Sequence, residues 1–460
     1  MTEPHPFPMS TADSAWLRME AATNPMTITG LIGFRGRVER ADLERFFAER
    51  IVPFSRFRMR VDGPATSSPT WVPEPDFLTS RHFFEVELPA PGGRAGLEMV
   101  VGRLMSEPLT FDRSPWTVHM IHDVEADDGS AGTAAVVRLH HCIGDGIGLM
   151  HVVLNAADES FDPSSLPDAR PARLRTPARQ RAVSTLRGAL GETRDLLMHP
   201  THLGARLAAF GSGAKAAVGL LAMTPDSDTV FKGDPSADKR AAWTHPFPVA
   251  RVRAIGEAAG AKINDVLMAA AAGGLRAYLE SVGEAVDRVE VRAAVPFNVR
   301  PLERASELGN SFGLVFLLLP VALADPAARL AEVKRRMDTL KGSAEPGVVY
   351  LILQSIGRAP RWLHTQVVDM FSEKASIVMT NVPGPAAEIH MAGEAVSSLM
   401  FWVPQAGDIG LGLSILSYNG EVRVGICADA AYVPEPDLLV KAFEAEFEAL
   451  AARFLPAEAA

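Results

Sequence analysis

The chain has 460 residues, of which 47% are hydrophobic and 22% charged; this is ordinary globular composition, with length for about two to three domains rather than one core. A formal net charge of −10 excludes a nucleic-acid binder, because phosphate recognition needs basic surface. The two cysteines, Cys142 and Cys427, supply neither a disulfide framework nor a thiol pair at metal-ligand spacing, so a reducing cytoplasm is the expected compartment.

The opening residues Met1 to Pro8 lack the basic start and apolar core of a signal peptide. Met9 to Glu20 reads as a short capped helix, and the alternation from Met26 to Phe34 as a strand. Leu43, Phe46, Phe47 and Ile51 form a helical stripe opened by Asp42. Pro108 to Trp116 is a turn leading into a strand from Thr117 to Val124. A second strand, pairing with it, runs from Val136 into His140 and His141, and a helix begins at Gly146 and runs to Ala156.

From Leu166 to Lys215 the character changes: nine Arg and Lys stand against three Asp and Glu in an otherwise acidic chain. This segment reads as a partly helical linker, or as a basic surface that attracts an anionic membrane or the phosphates of a ligand. Beyond it, Ile255 to Tyr278 reads as helix–turn–helix with Lys262-Ile263-Asn264-Asp265 at the junction. Val289 to Pro296, Leu314 to Leu319 and Ala375 to Thr380 read as strands, and Pro326 to Leu340 as a helix capped by Asp325. The apolar run from Leu314 to Ala324 is too short to cross a bilayer. Asn419-Gly420 marks a hairpin between Leu411–Tyr418 and Glu421–Ala428, and a helix with the stripe Leu439, Phe443, Phe447, Leu450 and Phe454 closes the chain. The expected organisation is an N-terminal domain over 1–165, a basic linker over 166–240 and a C-terminal domain over 241–460, two α/β layers with a cleft between them.

The segment His140-His141-Cys142-Ile143-Gly144-Asp145-Gly146 carries the chemistry. An apolar strand delivers two imidazoles to a sheet edge, and a glycine-rich turn then bends the chain away. Such a histidine suits a general base, although a histidine beside an apolar strand is often only a satisfied core residue. His140 and His141 would point to opposite sides of a strand, so one of them is structural. Cys142, beside the pair, is a poor nucleophile candidate for the same reason. His119 and His122, three apart on a strand, fall on opposite faces and do not make a metal pair. Gly309-Asn310-Ser311-Phe312-Gly313 fits the Gly-x-Ser-x-Gly elbow of lipases in letters only, since a charged loop precedes it and a strand follows.

The pattern His-His-x-x-x-Asp-Gly resembles the active-site motif of the CoA-dependent acyltransferase superfamily, which includes peptide-synthetase condensation domains. Asp13-x-x-Trp16-Leu17, Asn24-Pro25-Met26, Asn264-Asp265-Val266-Leu267, Val295 to Arg300, Leu308-Gly309-Asn310 and Thr380 to Pro385 extend the likeness over nearly the full length. The chain thereby resembles the bacterial wax ester synthase/diacylglycerol acyltransferase family. It departs from that pattern at Pro108 to Trp116, where the Asp-Arg-Ser is shifted and a leucine is missing.

The resemblance implies an α/β fold of two chloramphenicol-acetyltransferase-like domains, with mixed sheets flanked by helices and an active-site channel between them. It places the base on His141, supported by His140, Asp145, Gly146 and Asn264. Asp145 would hold its turn through a salt bridge to Arg300 or Arg292, Gly146 would permit a tight turn, and Asn264 would serve the oxyanion or cap its helix. The implied reaction is transfer of a long-chain acyl group from acyl-CoA to diacylglycerol or a long-chain alcohol, without a bound cofactor or metal. Peripheral contact with the inner membrane or lipid droplets is expected. The competing readings are a condensation-type enzyme with a carrier-protein donor and a non-catalytic lipid binder.

Overall fold

The computed structural model describes residues 5–64, 68–125, 131–158, 218–299, 308–341 and 345–456. The basic stretch from Leu166 to Lys215 and Arg300 lie outside these residues. Two mixed sheets organise the described chain. The first holds β2 (Thr27–Phe34), β5 (Phe83–Glu85), β6 (Trp116–Glu125) and β7 (Ala131–His140), joined by β13 (His390–Met391) and β14 (Glu394–Trp402), in the order β13-β14-β2-β7-β6-β5. Two of its strands therefore come from far down the sequence, and β14 pairs with β2 in antiparallel register. The second sheet has the order β11-β10-β12-β15-β16-β8, built from β8 (Lys239–Trp243), β10 (Val291–Asn298), β11 (Phe312–Leu319), β12 (Ile377–Pro383), β15 (Leu411–Tyr418) and β16 (Glu421–Asp429), with β9 (Phe247–Pro248) also on β16. A small sheet of β1 (Phe7–Pro8), β3 (Met59–Asp62) and β4 (Thr70–Pro73) covers one end.

The helices follow from their apolar stripes. α1 (Thr11–Arg18) starts at Ser10, whose Oγ accepts the Asp13 N–H. α2 (Arg40–Phe46) begins at Glu39 rather than Asp42 and passes into a π turn over Phe47–Ile51, which keeps both Phe47 and Ile51 buried. α3 (Gly93–Ser106) packs against β8, and α4 (Gly146–Ala156) begins where the sequence places it. On the second sheet lie α5 (Val249–Ala259), α6 (Ile263–Ser281), α7 (Pro326–Lys341) and α10 (Pro436–Phe454). α6 is buried without a break from Asp265 to Leu275, its alanines and glycines letting α10 approach, and Leu439, Phe443, Phe447 and Leu450 of α10 close the core as their spacing predicts. Each such side chain contributes roughly 1.5–3 kcal/mol by burial. The hairpin turn is confirmed, with Asn419 and Gly420 at φ 47° and 79°.

α3 had no sequence forecast, and neither had α8 (Glu345–Ile356) and α9 (Arg361–Ser372), which pack beside β11 and α1. Arg18 at the end of α1 donates from one guanidinium nitrogen to the carbonyls of Ile356, Gly357 and Ala359, satisfying the orphan acceptors at the C-terminus of α8. His364 Nε2, buried in α9, meets the Ala15 carbonyl at 3.2 Å. No helix among the described residues is long and apolar enough to cross a membrane.

Candidate active site

β7 ends at His140, and the chain turns at once into the N-terminus of α4. His141 is nearly buried: its N–H bonds the Met26 carbonyl at 2.7 Å, and its ring stacks on Trp16 with centroids 4.4 Å apart. Phe312, at the start of β11, lies 5.8 Å from the same ring. Burial lowers the imidazole pKa to about 4, while its own carbonyl, Asn310 and Asp13 pull the other way. The ring is thus neutral near pH 7, with Nδ1 lacking any hydrogen-bond partner.

His140 is turned into the protein instead. Its Nδ1 accepts the Cys142 N–H at 3.1 Å, and Glu20 lies 3.3 Å from its Nε2. Cys142 is fully buried and desolvation pushes its thiol pKa well up, which removes it as a nucleophile. His119 pairs with Thr117 and His122 with Thr133, and no metal-binding cluster exists among the described residues.

Asp145 holds the turn, as its position suggests. Oδ1 accepts the Gly148 N–H at 2.8 Å as the N-cap of α4, and Oδ2 accepts the Ser311 N–H at 2.9 Å from the other half of the chain. Arg292 is not its partner: that guanidinium donates to the carbonyls of Thr224 and Lys374. Gly146 is needed for approach rather than for a turn of unusual φ, since a Cβ there would stand 3.2 Å from Val382 Cγ2. Asn264 is not the cap of α6 either. Lys262 occupies that position, its N–H bonding Asp265 Oδ2, while exposed Asn264 accepts a hydrogen bond from Asn381.

Two apolar cavities meet at this turn. One, of about 1330 Å³, is lined by His141, Trp16, Phe312 and residues of α8 and α9. The other, of about 940 Å³, lies between the first sheet and α4, lined by Gly30, Leu149, Val153 and Leu399 among others. Ile28, Gly146, Val382 and Phe401 line both. The sequence did not disclose Asp13, Arg56 or Asn310 as partners of the histidine turn. Asp13 and Asn310 carried a signal only as members of the Asp13-x-x-Trp16-Leu17 and Leu308-Gly309-Asn310 motifs.

A buried neutral histidine in a large apolar channel between two mixed sheets defines an acyltransferase architecture. The family model for the wax ester synthase/diacylglycerol acyltransferase catalytic domain matches residues 9–267, and that for the C-terminal domain matches residues 308–451. The chain belongs to this family, and is an acyltransferase enzyme. A probable diacylglycerol O-acyltransferase of Mycobacterium tuberculosis H37Rv is 27% identical over 449 residues, covering 95% of this chain and 94% of the relative. A putative diacylglycerol O-acyltransferase of the same strain is 27% identical over 455 residues, covering 94% and 86%. Among solved structures, the wax ester synthase/diacylglycerol acyltransferase from Marinobacter aquaeolei VT8 aligns with TM-score 0.67 at 19% identity over 97% of this chain and 99% of its own. The trichothecene 15-O-acetyltransferase from Fusarium sporotrichioides aligns with TM-score 0.62 at 12% identity, over 97% and 94%. Both share the fold.

Proposed function

We propose that this enzyme transfers a long-chain acyl group from acyl-CoA to diacylglycerol, giving triacylglycerol, and to long-chain alcohols, giving wax esters, with His141 as general base. The observation that carries this reading is that two apolar cavities meet at the histidine turn: His141 lines the larger, and the two share Ile28, Gly146, Val382 and Phe401. Joining two lipid chains at an ester needs an apolar chamber for each, and both cavities are lined mostly by apolar side chains. An alcohol attacks a thioester slowly until a base takes its proton. A neutral imidazole accepts that proton as the oxygen bonds to the carbonyl carbon. The negative charge growing on the tetrahedral intermediate then favours the imidazolium. When the carbon–sulfur bond breaks, the same proton passes to the departing thiolate, giving ester and free CoA and restoring the base. Asp145 and His140 hold the turn, and Asn264 acts through Asn381, which lines the larger cavity. Contact with a lipid surface is part of the reading, supported by Trp362 standing 61% exposed on a helix that lines that cavity.

Thiol release from palmitoyl-CoA tests it, with diacylglycerol and hexadecanol supplied in turn and His141→Ala alongside. Acceptor-dependent release that falls by roughly 10²- to 10⁴-fold in the variant is expected. Silence with both acceptors would overturn the acyl-CoA reading and favour a carrier-protein donor or a non-catalytic lipid binder.

A further inference from the structure

The smaller cavity is a slot that runs away from the histidine turn between β2 and α4. Ile28, opposite Leu139 of β7, and Gly146, the first residue of α4, stand at its mouth, where they also line the larger cavity. Ile32, opposite Ala135, and Val153 line it farther out. At about 3.3 Å per strand residue and about 1.5 Å per helix residue, the β2 wall continues for roughly 13 Å and the α4 wall for roughly 10 Å. Every described residue that lines the slot is apolar or glycine.

Gly30 lies midway between Ile28 and Ile32, on the face of β2 that looks into the slot, since residues two apart in a strand share a face. Nothing in the backbone calls for glycine there. β2 is paired on both sides, Gly30 lying opposite Val137 of β7 and Phe401 of β14, and its φ lies outside the positive region. Nor does a neighbour demand it: a Cβ would meet only the carbonyl oxygens of Met400 and Val137, both at 3.8 Å, an ordinary contact distance. Gly33, by contrast, is fixed by crowding, because a Cβ there would stand 2.4 Å from Ser398 Oγ. Glycine weakens the middle of a strand and packs no side chain, so one without a local reason marks a place where a ligand passes close to the backbone.

The lining tells which ligand. A slot with no polar side chain among the described residues suits an unbranched hydrocarbon and disfavours a hydroxyl or a headgroup. The larger cavity carries Asn298, Thr380 and Asn381 as well as His141, and so offers hydrogen-bonding groups to the oxygens of an acceptor. We propose that the slot holds the acyl chain of the thioester donor and that Gly30 sets how long a chain it admits. A side chain at this position would divide the slot and leave only the part nearest the turn. The assignment rests on the proposed transfer from a long-chain thioester, and deepens it by naming a residue that governs chain length. Gly30 determines specificity and takes no part in the chemistry.

Calorimetric titration of the full-length protein with S-alkyl-CoA thioethers, from butyl to hexadecyl, tests this, since a thioether carries the donor's chain but cannot transfer it. In the wild-type protein affinity is expected to rise with chain length as far as hexadecyl; a hexadecyl thioether bound no tighter than butyl overturns the proposal. In Gly30→Leu the rise is expected to stop at a shorter chain. The hexadecyl-to-butyl affinity ratio then falls at least about tenfold, while butyl itself binds within about twofold of wild type. Gly30→Ala, with a methyl group in place of isobutyl, is the milder variant should leucine prevent folding, and Val153→Phe enters the slot from the α4 wall. Each is expected to lower the same ratio by at least about threefold. An unchanged ratio in the folded variants overturns the proposal, and so does an equal loss at every chain length. Turnover by the same variants, with butyryl-CoA and alcohols from hexanol to hexadecanol, reads the other source of a hydrocarbon chain. Selectivity that shifts for the alcohol and not for the donor would put the acceptor's chain in the slot and overturn the assignment. Because the titration needs no turnover, a wild-type protein that binds the hexadecyl thioether tightly yet releases no thiol defeats the proposed reaction alone. One that turns over palmitoyl-CoA, with chain-length preference unaltered in the variants, defeats this inference alone.

Discussion

His141 is neutral at physiological pH because burial disfavours the charged ring more than Asn310, Asp13 and its own carbonyl favour it. That displacement makes the residue a contributor to acid sensitivity as well as a base. In the unfolded chain an imidazole titrates near its ordinary 6.5, and in the fold at about 4. Between these values the unfolded state binds more protons, so stability rises with pH across the window. The contribution is complete above about 6.5 and is lost as pH falls toward 4. At pH 5 the loss assigned to this one ring is roughly 2 kcal/mol. His119, also lowered to about 4 by burial, adds its own share. His141→Gln should therefore reduce the difference in unfolding free energy between pH 7 and pH 5 by that amount, measured by urea denaturation. An unchanged difference would mean that the ring titrates normally in the fold. The histidine itself was legible, because its strand, its neighbour and its turn are contiguous. Asn310 lies 169 residues from His141 and 297 from Asp13, and no local spacing encodes a bond across such distances.

α1 does most to organise the site among the elements. It sends Asp13 to Asn310, Trp16 onto His141 and Arg18 to the end of α8. The stretch from Met9 to Glu20 was readable as a capped helix, and β7, β11, the closing hairpin and α10 were readable from strong local periodicity or turn chemistry. α8 and α9 were not, because their apolar positions face a cavity and solvent as well as core, which blurs the stripe. α9 shows this division plainly: Val367, Val368 and Phe371 line the larger cavity, while Arg361 and Trp362 stand in solvent. An isolated exposed aromatic is unremarkable on many proteins. Here it sits beside a basic residue on a helix whose other residues wall an apolar chamber, as expected of a helix that meets a lipid interface. Trp362→Ala should weaken binding to anionic phospholipid vesicles by roughly five- to tenfold in a co-sedimentation assay. Turnover of a short-chain, water-soluble alcohol should be unaffected. Equal vesicle binding by the two proteins would remove α9 from the interface.

At the scale of the molecule the two sheets are interlocked, since β13 and β14 complete the first sheet from within the second half of the chain. Nothing in the local sequence of Glu394–Trp402 says which sheet it joins, because an amphipathic strand suits either edge. Polar contacts reinforce the exchange. Lys239 of β8, almost fully buried, donates to Asp429 of β16 at 2.8 Å and to Asn24, ahead of β2, at 2.9 Å. Asn24 in turn donates to the Gly407 carbonyl at 2.8 Å. Burial pushes the Asp429 carboxyl up, yet Lys239 and Ser236 bring it below its ordinary value, so it is charged and depends on its partners. Removing the cation alone strands that charge in the interior. Lys239→Met should cost about 3–5 kcal/mol in urea-induced unfolding at pH 7. Lys239→Met with Asp429→Asn should recover a large part of the loss, because the second change removes the buried charge that the first left unpaired. If the double variant is as unstable as the sum of the single ones, the pair is not coupled, and the junction of the two halves does not depend on it.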